Sequence, residues 1–319
     1  MLQAKIVAPK RIELEDVEIP KPGRGEVLVK VHYNAVCGSE FPAYLGTATR
    51  CPYYLGIVEY PVGPFGHEGT GEVVEVGPDV EDFRPGDLVA GCGGYAEYVT
   101  TPAENLVHIP EGLSTKDASL CIMVAETYYA TRLLGLGPED SVYISGMGPT
   151  GLALLEHIRQ IGCYPIVCCD LMGSRLEVAR ELGADFTVNP AEDPAARLRE
   201  ILPEGASVSI DTTGVPASIV NVIKAASKFA RVGLYGRPLE RMRDFEVEDI
   251  FHKMLVLYGL KCRPEGYGRK YKKIALRMLK EGRIHADRLI SHVVPLREIG
   301  RAFEIATGRK GLKVVVQCG

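Results

Sequence analysis

The stretch Ser141 to Asp170, SVYISGMGPTGLALLEHIRQIGCYPIVCCD, constrains the fold of this chain more than any other. Val142, Tyr143 and Ile144 are strand formers that end at a cluster of glycines. Beyond it Leu154, Leu155, Ile158 and Ile161 fall at helical spacing, so the apolar period changes from strand to helix across the turn. A second apolar strand, Ile166 to Cys169, ends on Asp170. One βαβ unit is predicted, with the turn Gly146-Met147-Gly148-Pro149-Thr150-Gly151 in the G-x-G-x-x-G order that suits a dinucleotide. Gly146 permits the tight turn, Gly148 lets the backbone approach a pyrophosphate, and Gly151 lets helix and strand pack closely. The pyrophosphate would sit on the helix N-terminus, where free N–H groups and the dipole favour an anion. Asp170 follows Gly151 by nineteen residues. There a carboxylate can take both ribose hydroxyls of NAD and repel the 2′-phosphate of NADP.

At 319 residues the chain is long for a single core, and two domains are expected. A net charge of −4 carries no basic excess, so neither nucleic acid nor an anionic membrane is an expected partner. No apolar run reaches the ~18 residues of a membrane span. The N-terminal MLQAKIVAPKRIELEDVEIP alternates like a strand and lacks the apolar centre of a signal peptide. Nine cysteines without a C-x-x-C pair read as cytosolic thiols, with Cys163, Cys168 and Cys169 as core residues, and the expected location is the cytoplasm.

The first hundred residues read as all-β. Alternating runs at Val27 to Val31, Gly71 to Val76 and Tyr95 to Val99 are separated by turns such as Lys21-Pro22-Gly23 and Arg84-Pro85-Gly86-Asp87, which suggests a small barrel or sandwich. Two places break the pattern with reactive side chains, Cys37-Gly38-Ser39-Glu40 and Gly66-His67-Glu68-Gly69. Thiolate, imidazole and carboxylate are ligand types that Zn²⁺ accepts, and a catalytic zinc takes three protein ligands with one position open. By spacing alone two readings stand side by side, a zinc site or a packed cysteine and a hydrogen-bonded histidine.

With the nucleotide unit, these segments resemble the medium-chain dehydrogenase/reductase family, in its zinc-dependent alcohol and polyol (sorbitol-like) branch. The resemblance runs through C-G-S-E, G-H-E-G-T-G-E-V-V-E-V-G, R-P-G-D-L-V, A-E-Y-V, G-M-G-P-T-G, R-L-E-V-A-R-E-L-G-A-D and P-L-R-E-I-G-R-A-F. It implies an α/β Rossmann domain and a mainly β, GroES-like barrel domain, with the active site in the cleft between them. It further implies one catalytic Zn²⁺ on Cys37, His67 and Glu68. Glu40, where the family usually has Asp, would orient His67. Ser39 matches the family's Ser/Thr that accepts the substrate's hydroxyl proton, while as a plain turn residue it would bond its own backbone. A small alcohol or carbonyl substrate and a homodimer or homotetramer follow from the same likeness.

Three departures matter. Pro42 stands where the family often has a histidine that passes the proton towards solvent. Between Asp87 and Tyr95 only Cys92 occurs, where many members carry a four-cysteine structural zinc lobe, so a second zinc is not expected. A further metal-proximal residue of the family falls, by ungapped counting from Gly146, on Ile122; Cys121, Glu126 and water remain alternatives for completing the coordination.

Between the two reactive loops lies the tyrosine- and proline-rich stretch Arg50 to Leu55, with Tyr60; its tyrosines either meet substrate or are half-buried loop aromatics. Arg175 either caps a helix or borders the adenine, and with Asp170 at the strand end NAD is favoured over NADP. Val208 to Asp211 followed by Thr212-Thr213-Gly214 reads as a parallel strand whose end, with Thr213, faces the cofactor. Gly236 and Arg237 either approach the nicotinamide or form an ordinary turn. Ala230 to Tyr235 and Leu255 to Leu260 are further strands, Arg263 to Arg283 an amphipathic helix, and Ile290 to Val294 and Val314 to Val316 strands that rejoin the first domain. The expected domains are 1–122 with 264–319 for zinc and substrate, and 123–263 for NAD. The expected function is hydride transfer between NAD and a secondary alcohol, polyol, sugar or cyclitol. A zinc-free NADPH quinone or enoyl reductase and a non-catalytic nucleotide-binding protein are the alternatives.

Overall fold

A computed structural model describes residues 1–47, 59–191, 194–238, 242, 247–260 and 268–319. The described chain divides into two compact units, Met1–Ala125 with Pro264–Gly319, and Glu126–Arg263.

The second unit is a six-stranded parallel sheet. Its strand order is Phe186–Val188, Ile166–Cys169, Val142–Ser145, Ala206–Asp211, Ala226–Leu234 and Val256–Gly259. Numbered along the chain this is 3-2-1-4-5-6, the doubly wound order that reverses beside the first strand, where such sheets bind nucleotides. The predicted helix is Pro149–Ile161, with Leu154, Leu155 and Ile158 fully buried as their spacing requires. Gly146 has φ +99°, and a Cβ on Gly151 would overlap the carbonyl oxygen of Gly146. A tight left-handed turn with no room beside it accounts for the two glycines. Below the sheet, Asp140 accepts from Gly137 N–H at 2.9 Å, from Ser207 at 2.7 Å and from Arg231, whose guanidinium also donates to the carbonyls of Leu134 and Gly135.

The first unit is built on a seven-stranded sheet around the long strand Glu26–Ala35, which pairs with Gly69–Val76, Tyr98–Pro102 and Lys313–Gln317. The C-terminal strands Ile290–Pro295 and Lys313–Gln317 therefore close onto N-terminal ones, as the sequence suggested. The N-terminal hairpin Leu2–Ala8 with Arg11–Asp16 is held to the rest through single bridges from Gln3 to Ala96 and Ile6 to Val62.

The all-β expectation for the first hundred residues needs correction at two places. Phe41–Leu45 is a short helix opened by Pro42, too short for its apolar period to register in a sequence. Tyr95 lies in a bend outside the expected strand, because the ladder to Glu26–Ala35 begins only with Tyr98 opposite Lys30, after the turn at Gly94. The helix Gly268–Lys280 matches the basic amphipathic run from its sixth residue and ends three residues before Arg283, in the turn at Gly282; the first five residues of the run lie outside the described residues, as does the stretch Arg50 to Leu55.

Candidate functional site

Cys37 leaves the end of strand Glu26–Ala35 into the single 3₁₀ turn Gly38–Glu40, and His67 and Glu68 lead into strand Gly69–Val76. Because the two strands are antiparallel partners, with Asn34 opposite Gly69, the reactive loops emerge side by side. Asn34, fully buried, fastens them: its amide oxygen accepts from Glu68 N–H at 3.2 Å and its amide nitrogen donates to Gly94 O at 3.0 Å. Ala35 N–H donates to Glu68 O at 3.2 Å.

The outcome is a cluster in which one ligand atom each of Cys37, His67 and Glu68 lies within 4.8 Å of the other two. Among the described residues it is the group of this kind, and it contains neither Cys121 nor Glu126. The Cys121 thiol, pushed up to about 12 by burial, points to the carbonyl of Lys272 at 3.6 Å, and Glu126 accepts from Tyr235 at 3.4 Å within the second unit.

Around the trio the charges are ordered. Glu40 Oε1 lies 3.4 Å from His67 Nδ1, while Glu40 Oε2 accepts from Tyr95 Oη at 2.8 Å and from Cys37 N–H at 3.3 Å. Burial alone would lower the pKa of His67, but the Cys37 sulfur and the Glu40 carboxylate beside it push it up to about 11. Glu68 and Lys313 form a buried ion pair at 2.5 Å. Burial works against the ammonium, and the charges of Glu68, Cys37 and Glu40 overcome it, holding Lys313 above the usual lysine range. Glu68 Oε2 is buried against the Lys313 ammonium and Glu40 Oε1 against His67 Nδ1, and neither oxygen has a further donor. Buried carboxylate oxygens in that state, beside a thiol and an imidazole, suit a divalent cation that accepts sulfur, nitrogen and oxygen. Ser39 Oγ donates to Cys37 Sγ at 3.3 Å. Pro42 is buried, with its carbonyl taken by Thr47 N–H at 2.9 Å, so nothing there titrates. Tyr60 donates to Ala43 O at 2.7 Å and behaves as a loop aromatic. Cys92 is a core residue, its thiol pushed up to about 12 by burial.

In the second unit Gly148 caps the helix N-terminus, and Pro149 and Thr150 begin it, Pro149 where a missing N–H costs nothing. Asp170 accepts from Met147 N–H at 2.7 Å with one oxygen and from Met172 N–H at 2.8 Å with the other, which leaves lone pairs on both. Arg175 reaches to 3.7 Å of Asp170. Asp211, fully buried, accepts from the N–H and hydroxyl of Thr213, from Gly214 N–H and from Ser218, so the Thr213 hydroxyl is spent inside its own loop. Thr212 donates to Gly146 O at 2.7 Å, and Gly236 packs against Gly214 too closely for a side chain. The loops after three parallel strands thus lean on one another. Asn34, Tyr95 and Lys313 are residues that sequence reasoning missed, and Asp211 and Thr212 it read only as the end of a strand and its loop; of the three, only Lys313, a lone cation opening an apolar strand, carried a visible signal.

Residues 23–111 match the family described as alcohol dehydrogenase GroES-like domain, and residues 149–281 that described as zinc-binding dehydrogenase. The chain is 30% identical over 326 residues to (R,R)-butanediol dehydrogenase of Bacillus subtilis, covering 91% of each chain. To L-threonine 3-dehydrogenase of Pyrococcus abyssi it is 30% identical over 339 residues, covering 95% of this chain and 94% of that one. Its fold superposes on 2R,3R-butanediol dehydrogenase of Bacillus subtilis with a TM-score of 0.86 at 28% identity, covering 100% and 99% of the two chains. For alcohol dehydrogenase TADH of Thermus sp. ATN1 the TM-score is 0.85 at 26% identity, with both chains fully covered. On these grounds the chain belongs to the zinc-type medium-chain alcohol and polyol dehydrogenases, NAD(P)-dependent oxidoreductases with a GroES-like and a nucleotide-binding domain.

Proposed function

We propose that this enzyme oxidises the secondary alcohol of a diol, polyol or hydroxy amino acid, with NAD as hydride acceptor and one Zn²⁺ held by Cys37, His67 and Glu68. The observation that carries the metal reading is the thiol–imidazole–carboxylate cluster within 4.8 Å. When bound, the ion supplies Lewis acidity that lowers the pKa of a substrate hydroxyl. The chain's own residues do the rest. Glu40 holds the Nδ1 edge of His67 and leaves the other ring nitrogen for ligation. Ser39, whose hydroxyl already lies against Cys37 Sγ, relays the hydroxyl proton, releasing its own to water as it accepts the substrate's. Gly146, Gly148, Pro149, Thr150 and Gly151 receive the pyrophosphate on the helix N-terminus, with Thr213 and Gly236 on the neighbouring strand-end loops. Asp170 takes the adenosine ribose hydroxyls, which favours NAD, and Arg175 borders the same position. Hydride transfer itself is the cofactor's chemistry. The substrate class rests on the named relatives, which act on butanediol and threonine, each a secondary alcohol beside a second polar group.

The chain works in the cytoplasm as a homodimer or homotetramer. In support of the oligomer, the outer strand Val256–Gly259 exposes Val256 and Leu257 on an edge with no further partner strand among the described residues. The test is elemental analysis of the purified chain together with NAD reduction across secondary alcohols. One zinc per chain and turnover of a diol or hydroxy amino acid are expected, both lost in Cys37→Ser with the circular-dichroism spectrum retained. Turnover that survives complete metal removal overturns the reading.

A further inference from the structure

Building on the metal reading, we propose that Tyr95 is a positioning residue for the metal ligand His67, acting through Glu40. Tyr95 is fully buried, and its ring packs at 5.0 Å from Phe65 and 5.8 Å from Phe303 between centroids. A phenylalanine would fill that space equally well, so the hydroxyl has another use. It stands 2.8 Å from Glu40 Oε2 and 3.2 Å from the Ala35 carbonyl. With a single proton to give, the phenol donates to the nearer, charged acceptor. Burial, reinforced by the Glu40 charge, holds its pKa well above the ordinary phenol value, so it stays a donor.

Glu40 is in this way fixed at one oxygen and free at the other. Oε2 is held by the phenol and by the N–H of Cys37, itself a ligand in the proposed site. Oε1 has no hydrogen-bond partner and faces His67 Nδ1 at 3.4 Å. Three side-chain torsions separate that carboxylate from the backbone, and the phenol is the side-chain group that stops it from turning away from the imidazole. A glutamate reaches one methylene further than the aspartate the family resemblance implies, and the extra length brings the carboxylate to Tyr95. Partners of ligating histidines set ring orientation and basicity, and losing one costs about 10- to 100-fold in metal affinity.

The experiment is a double-mutant cycle on zinc affinity, measured by competition with a chromophoric chelator for the full-length chain, Tyr95→Phe, Glu40→Ala and the pair. The cobalt-loaded absorption spectrum serves as a second readout of ligand geometry. Tyr95→Phe keeps the ring contacts and should weaken zinc binding by about tenfold, the lower end of that range, with an altered cobalt spectrum. In the Glu40→Ala background the same change should cost less than about twofold, because the carboxylate through which it acts is gone. A role confined to packing or to the Ala35 carbonyl would lower thermal stability and weaken zinc equally in both backgrounds. That result, or an unchanged affinity in Tyr95→Phe, overturns the proposal while leaving the metal site standing. A parent chain that takes up no zinc overturns the metal reading and this inference with it.

Discussion

Two glycines five positions and two positions after Gly146 should answer differently to the same methyl group. On Gly148 a Cβ would have the Arg175 guanidinium nitrogen at 3.8 Å as its nearest neighbour, and the backbone there, φ −72° and ψ −176°, is one any residue adopts. Gly148→Ala thus gains about 0.4–1 kcal/mol by restricting the unfolded chain and gives back about 0.5 kcal/mol because alanine is the poorer N-cap. Stability should stay within about 0.5 kcal/mol of the parent. A pyrophosphate drawn against that backbone, by contrast, would meet the methyl and lose one charge-assisted hydrogen bond, about 1.5–3 kcal/mol. That is roughly a 10- to 100-fold weaker Kd for NADH. On Gly151 the methyl would overlap the Gly146 carbonyl oxygen and stand 3.0 Å from its carbon and 3.2 Å from Met147 Cε, mostly backbone that cannot step aside. Gly151→Ala should cost about 1–3 kcal/mol of stability with or without cofactor. Fluorescence titration with NADH and thermal unfolding of both variants read the two quantities separately. Gly148→Ala binding NADH as tightly as the parent would refute the placement of pyrophosphate over this turn, and an undamaged Gly151→Ala would refute the packing argument.

Lys313→Met leaves Glu68 as a buried carboxylate without its ammonium and should lower the stability of the metal-depleted chain by about 3–5 kcal/mol, with Lys313→Arg nearer the parent, in urea unfolding. Asp140 is raised by burial but lowered further by Gly137 N–H, Ser207 and Arg231, so its folded pKa lies below the unfolded ~3.9. The stabilisation is then complete above the unfolded value and is lost as pH falls through the folded one; Asp140→Asn should cost about 2 kcal/mol at pH 7, a gap that closes below about pH 4 in paired urea titrations. Asp170→Ser should raise KM for NAD by about tenfold or more and improve NADP as the repulsion of a 2′-phosphate is lifted, and a parent enzyme that already prefers NADP would contradict the role given to Asp170.

What the sequence discloses is what short range decides. The change of period at Gly146 and the run from Val142 to Cys169 are local, and strand, turn and helix appear within a residue or two of their expected bounds. Cys37, His67 and Glu68 were brought together by resemblance, since spacing alone leaves a packed cysteine as credible. The structure adds the reason, an antiparallel register that sets Asn34 opposite Gly69. Tyr95 was misplaced because its alternation with Glu97 and Val99 mimics a strand, whereas its ring fills the core from a bend. Its contact with Glu40 spans 55 positions, and no local pattern encodes it.

Lys313 marks the other limit. In the sequence it is one cation ahead of three valines, and only the register of its strand, with Val36 N–H on Val314 O at 2.9 Å, carries it under Glu68. Its position bears on the charge the site can hold. Cys37 as a thiolate, Glu68 and Glu40 carry three negative charges, all within reach of His67, and a buried surplus of that size is too costly to leave uncompensated. One ammonium removes one of the three. The two that remain equal the charge of a zinc ion, and with histidine neutral, as ligation requires, the site is balanced. The arrangement therefore suits a divalent cation better than a monovalent one. In the proposed site that selectivity would come from Lys313 as much as from Cys37, His67 and Glu68.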